Sequence, residues 1–130
     1  MSTIELTKDN FQDAVLDSKP LVVDFWAPWC GPCKTFSPIF DKASEDHSDV
    51  TFAKVNTEDE EELAGALGIR SIPTLMVFRE QVLLYNQAGA LSASQLEELL
   101  TQVKSVDMEQ VHAEIAAQQE QEQEQNPGQQ

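Results

Sequence analysis

The chain has 130 residues, enough for one domain and a little more. Its 23 acidic against 8 basic residues leave a formal charge of −15, which argues against nucleic acid, anionic lipid and other acidic partners. The charge serves solubility, or steers a basic partner. No window approaches the roughly 20 apolar residues of a membrane span. The start, Met1-Ser2-Thr3-Ile4-Glu5-Leu6, lacks the basic stretch and apolar run of a secretory leader, so a cytoplasmic location is expected unless the N-terminus is processed.

In chain order, Thr3 to Leu6 reads as a short strand, and Lys8 to Asp17 as a helix with Phe11, Ala14 and Val15 on one face. After Pro20, the run Leu21-Val22-Val23-Asp24-Phe25-Trp26-Ala27 is β-branched, aromatic and almost wholly apolar, the pattern of a strand buried on both faces. Phe36, Ile39, Phe40 and Ala43 recur at helical spacing around Pro38, where a kink is expected. Val50 to Val55 reads as a strand. Glu58 to Leu67 reads as a helix with acids at its dipole-favoured start and Gly68 as its stop. Thr74 to Phe78 and Val82 to Tyr85 form a predicted antiparallel hairpin, and Gly89 breaks the segment after it. Ser92-Ala93-Ser94-Gln95 has the capping-box pattern, and Leu96, Leu99, Leu100 and Val103 supply the apolar face of a last helix. The order β-α-β-α-β-α-β-β-α predicts an α/β fold, a mixed sheet covered by helices in a single domain.

From Ser105 no Lys or Arg remains and Gln and Glu take over. Val106, Val111 and Ile115 extend the helical pattern weakly. Beyond Ala117 nothing apolar is left to bury, so residues 118–130 are expected to be a disordered low-complexity tail, with a helical docking arm as the alternative. The domain is accordingly placed at residues 1–104 and an acidic Gln/Glu-rich extension at 105–130.

The only cysteines, Cys30 and Cys33, stand two residues apart at a strand-to-helix junction. They are too close in sequence to staple distant parts of the chain, and the spacing fits a redox pair or half a metal site. A zinc site needs four ligands, and the remaining candidates, His47 and His112, lack the spacing, so no metal is expected. An inert buried pair is the other competing reading. Thiolate is the reactive form, and a helix N-terminus stabilises it. Cys30, nearer the loop, is the expected nucleophile; Cys33, one helical step further in, is the expected resolving thiol.

Trp29-Cys30-Gly31-Pro32-Cys33-Lys34, preceded by Val23-Asp24-Phe25-Trp26-Ala27, resembles the active site of the thioredoxin family. Ala53-Lys54-Val55-Asn56, Gly68-Ile69-Arg70-Ser71-Ile72-Pro73-Thr74 and Gly89-Ala90-Leu91-Ser92 resemble further thioredoxin segments in the right order. The resemblance covers about residues 1 to 104. It implies the thioredoxin fold and a protein-disulfide reductase that carries electrons in its own Cys30–Cys33 disulfide, with no bound cofactor. Asp24 resembles the family's buried proton acceptor, a general base whose pKa burial raises. Lys54 resembles the lysine that tunes it. Pro73 resembles the proline whose preceding bond is cis in this fold. Trp29, Gly31, Pro32, Ile72, Pro73, Ala88 and Gly89 would make a flat apolar surface for extended protein segments, with core packing the alternative for Ile72.

The implied partners are disulfide-containing proteins and an NADPH-dependent flavoprotein reductase; a monomer is expected. Gly-Pro between the cysteines resembles the family's reducing members. A non-catalytic holdase or interaction module using the acidic tail is the alternative. Two departures stand out: Phe78-Arg79-Glu80-Gln81-Val82 lacks the Asn-Gly common in that hairpin, and the residues from Ser105 have no counterpart in the minimal domain.

Overall fold

A computed structural model describes residues 2–125. The run from Leu21 is strand β2 (Leu21–Trp26), after β1 (Thr3–Glu5) and helix α1 (Phe11–Leu16). It is followed by α2 (Gly31–Asp46), β3 (Thr51–Asn56), α3 (Glu61–Ala66), β4 (Thr74–Arg79), β5 (Val82–Ala88), α4 (Ala93–Ser105) and α5 (Met108–Gln125). The five strands form one sheet in the order β1-β3-β2-β4-β5. Strand β2 lies at its centre, parallel to β3 and antiparallel to β4. That position explains its unbroken apolar run: both faces are covered, and Leu21 to Phe25 are all buried.

Each face carries its own core. On one, Val22, Leu75 and Val77 of the sheet meet Phe36 and Phe40 of α2 and Leu96, Leu100 and Val103 of α4. On the other, Val23, Phe25, Val55 and Met76 pack with Phe11 of α1, and Leu63 of α3 closes over them. The alternation of β2 thus sends successive residues to opposite cores, and the mixed sheet between helices is the predicted fold.

Several boundaries differ locally. Helix α1 starts at Phe11 and not at Lys8, because residues 7–10 close a turn in which the Asn10 side chain accepts from Thr7 N at 2.6 Å. Helix α3 begins at Glu61, after a turn closed by Glu60 N donating to Asn56 O. Gly68 takes φ +71°, the left-handed conformation that ends α3 without a Cβ clash. Pro38 is accommodated inside α2. Ser92 caps α4 with both halves of the capping box in place.

Glu80 and Gln81 fill the hairpin turn at φ 51° and 68°. The chain therefore makes a two-residue turn with both central residues left-handed, the geometry that Asn-Gly ordinarily serves.

Where the sequence alone points to an unstructured tail beyond Ala117, the structure continues α5 to Gln125. Glu, Gln and Ala are strong helix formers, and no Gly or Pro interrupts them before Pro127. The expectation for residues 126–130 lies outside the described residues. Met108 is buried, Val111 and Ile115 are half-buried, and the rest of the α5 side chains described are exposed.

Candidate active site

The site is built where β2 gives way to α2. Pro28 and Trp29 carry the chain out of the sheet, and Cys30 becomes the N-cap of α2. Its backbone N–H donates to Ala27 O at 3.2 Å, and its sulfur accepts from Cys33 N at 3.2 Å. Pro32 enters the first turn, where its missing N–H costs no hydrogen bond. Four residues thus turn the chain from strand to helix and bring Cys30 and Cys33 to a Cα separation of 5.3 Å, where they are joined as a disulfide. Cys30 is 5% exposed and Cys33 2%. A nucleophile at Cys30 has a backbone N–H aimed at its sulfur and the positive end of a 16-residue helix behind it.

The residues singled out around the cysteines converge from three elements. The cysteines pack with Ala27, Trp26 and Ile72. Cys30 Sγ lies 3.8 Å from Ile72 O. The Ile72–Pro73 bond is cis, Pro73 is buried, and its carbonyl accepts from Gly89 N at 2.8 Å. The pairing of Thr74 with Ala88 places Ala88 beside Gly89 at this end of the hairpin. Gly31, Pro32, Ala88 and Gly89 are exposed, and Trp29 is 70% exposed, the most open of the large apolar side chains described. Ile72 both touches the cysteine cluster and remains half-open, so the two readings of that residue are not exclusive.

Below the disulfide, Asp24 is 1% exposed and its Oδ1 has no hydrogen-bond partner. Burial pushes its pKa up to about 7 from 3.8; Lys54 opposes the rise and Asp41 adds to it. Asp24 and Lys54 are register partners on β2 and β3. A small pocket of about 110 Å³ links Asp24 to Cys33, lined also by Trp26, Lys34, Ser37 and Lys54. It has room for water between the carboxylate and the sulfur.

Ser37 and Asp41 were not singled out by the sequence. The Lys54 ammonium donates to Ser37 Oγ at 2.9 Å and forms an ion pair with Asp41 Oδ1 at 2.9 Å. The signal lay in the helical period: positions 33, 37 and 41 follow one another at four-residue steps along one face of α2.

The thioredoxin family model matches residues 2–121. The chain belongs to the thioredoxin family. It is 50% identical over 118 residues to the putative thioredoxin 2 of Streptomyces coelicolor, covering 91% of this chain and 88% of that protein. It is 44% identical over 99 residues to the thioredoxin of Buchnera aphidicola, covering 75% of this chain and 92% of that one. The crystal structure of Malassezia sympodialis thioredoxin superposes with a TM-score of 0.70 at 34% identity, over 78% of this chain and 90% of the other.

The thioredoxin membership and the cysteine pair make this protein a thiol–disulfide oxidoreductase that reduces protein disulfides, its electron carrier being the Cys30–Cys33 disulfide. The holdase alternative is not favoured. The family match runs past Ser105 into α5, so the extension is not wholly foreign to the family. No described helix is long and apolar enough to cross a membrane.

Proposed function

We propose that residues 1–104 are the catalytic thioredoxin domain, acting as a general reductase of cytoplasmic proteins, with 105–130 an accessory extension. Cys30 thiolate attacks one sulfur of a substrate disulfide and expels the other as a thiolate, which takes a proton from water. The result is a mixed disulfide between Cys30 and the substrate. Asp24 then accepts the Cys33 thiol proton through the small pocket. The Cys33 thiolate attacks Cys30 Sγ and releases the second substrate thiolate. Two electrons have passed to the substrate, and Cys30–Cys33 is oxidised.

The observation that carries this reading is the shared pocket: a buried carboxylate titrating near neutrality faces the inner cysteine of a disulfide at a helix N-terminus. Trp29, Gly31, Pro32, Ile72, Ala88 and Gly89 form the rim that receives an extended substrate segment, the expected rim residue Pro73 being buried next to Ile72, and Lys54 and Pro73 support the chemistry. An NADPH-dependent flavoprotein reductase restores the dithiol. The reducing cytoplasm keeps such a pair turning over, and a charge of −15 favours a monomer through self-repulsion.

The test is trapping. Cys33→Ser incubated with an oxidised protein substrate accumulates a mixed disulfide through Cys30, and Cys30→Ser accumulates none. In Asp24→Asn the mixed disulfide forms normally but resolves slowly, without a rate step near pH 7. Trapping through Cys33 would reverse the cysteine roles, and an unchanged resolution profile would remove Asp24 as the base.

A further inference from the structure

Lys54 is the cation next to Asp24, yet its contacts run elsewhere. Its hydrogen bond goes to Ser37 Oγ and its ion pair to Asp41, both at 2.9 Å and both on α2. Asp24 Oδ1 stays buried without a hydrogen-bond partner, although Asp24 and Lys54 are paired on adjacent strands. A lone lysine beside a buried carboxylate turns toward it, because an unpaired buried charge is costly. Here two α2 side chains compete for the ammonium. Asp41 also adds a like charge that opposes ionisation of Asp24.

We propose that Ser37 and Asp41 are positioning residues for the disulfide chemistry: they anchor Lys54 to α2 and so keep Asp24 a base strong enough to take the Cys33 proton. The proposal rests on Asp24 being that base. Without the anchor Lys54 swings to Asp24, whose carboxyl then ionises at lower pH and is a weaker base. With no lysine at all, Asp24 stays protonated to higher pH. The α2 pair holds the site between these limits. The charged or titratable groups that share its surroundings are Lys54 from β3 and Lys34, Asp41 and, when reduced, the Cys33 thiol from α2. On the β4 side its register partner is the uncharged Leu75. Ser37 acts only through Lys54. Asp41 acts through Lys54 and directly.

The difference is measurable in the full-length oxidised protein, where Cys33 does not titrate and the Asp24 carboxyl is followed by carbon NMR. Asp41→Asn lowers the Asp24 midpoint by about one pH unit, and Ser37→Ala lowers it by less. In a Lys54→Met background Ser37→Ala moves the midpoint no further, while Asp41→Asn retains a smaller downward shift. Midpoints unmoved by both single substitutions, or a Ser37→Ala shift that persists without Lys54, would overturn the proposal.

The rate of mixed-disulfide resolution separates this from the role of Asp24 itself. A midpoint lowered by one unit raises the ionised fraction at pH 6 about five-fold, and the acid limb of the rate profile moves with it. If the NMR midpoint moves and the rate profile does not, the anchoring stands and the base assignment falls.

Discussion

At the β2–α2 junction each residue answers to several neighbours at once. Cys30 is held by Ala27 O, Cys33 N, Ile72 and the disulfide, and Asp24 lies on the central strand between its register partners Lys54 of β3 and Leu75 of β4. Helix α5, at the far end of the chain, hangs on its first turns. Met108 is buried, the Asp107 side chain accepts from Gln110 N at 3.1 Å, and His112 lies 3.1 Å from Glu80. Arg79 braces the approach by donating to Val103 O and Val106 O at 2.8 and 3.0 Å. The contrast shows two ways to form a helix. Tertiary contact dictates α2 residue by residue, including an internal proline, whereas composition alone carries the second half of α5.

Burial of Asp24 at the junction is destabilising once the carboxyl ionises, and that cost can be exposed by titration. Asp24 has a folded-state pKa of about 7, above its ordinary 3.8. Between these values the folded state holds a proton that the unfolded state has lost, so stability falls as pH rises and the contribution is gone above pH 7. Urea unfolding of the oxidised protein at pH 5 and pH 8 should show the parent losing about 3 kcal/mol more than Asp24→Asn over that interval. Parallel losses would mean that Asp24 is as well solvated as in the unfolded chain.

Removing residues 107–130 probes the other region. The Arg79 contacts survive, while the Met108 burial, the partial burial of Val111 and Ile115 and the short polar contacts are lost. The expected loss is about 1–2 kcal/mol, read by urea unfolding, with reductase activity unchanged. A loss as large as that of a core Leu→Ala change would place α5 in the core. Lost activity would tie it to the site.

The smallest effect belongs to the hairpin that touches α5. Gln81 holds φ 68° without being Gly or Asn. Gln81→Gly relieves that conformation and should raise unfolding free energy by up to about 1 kcal/mol, with no change in activity. A decrease would show that the Gln81 side chain stabilises the turn by contact.

Much of this was legible in the sequence because the relevant signals are local. The apolar run at Leu21 to Ala27, the capping box at Ser92 and the two-residue cysteine spacing each need only neighbours to be read. The cis bond before Pro73 came from resemblance, since nothing in Ser71-Ile72-Pro73 distinguishes it physically. Ser37 and Asp41 escaped because their contact is with Lys54, which reaches them from another element. The helix beyond Ala117 escaped for the opposite reason: with no apolar face to bury, its helical propensity looked insufficient to order it. The start of α1 was displaced by one side-chain contact, from Thr7 to Asn10.

The Cys30–Cys33 pair is poised to give electrons to protein disulfides, and its equilibrium reduction potential in a defined thiol buffer tests that directly. The expected value is near the −270 mV or so known for thioredoxin itself. A value of about −180 mV or higher, the range of disulfide isomerases and oxidants, would contradict it.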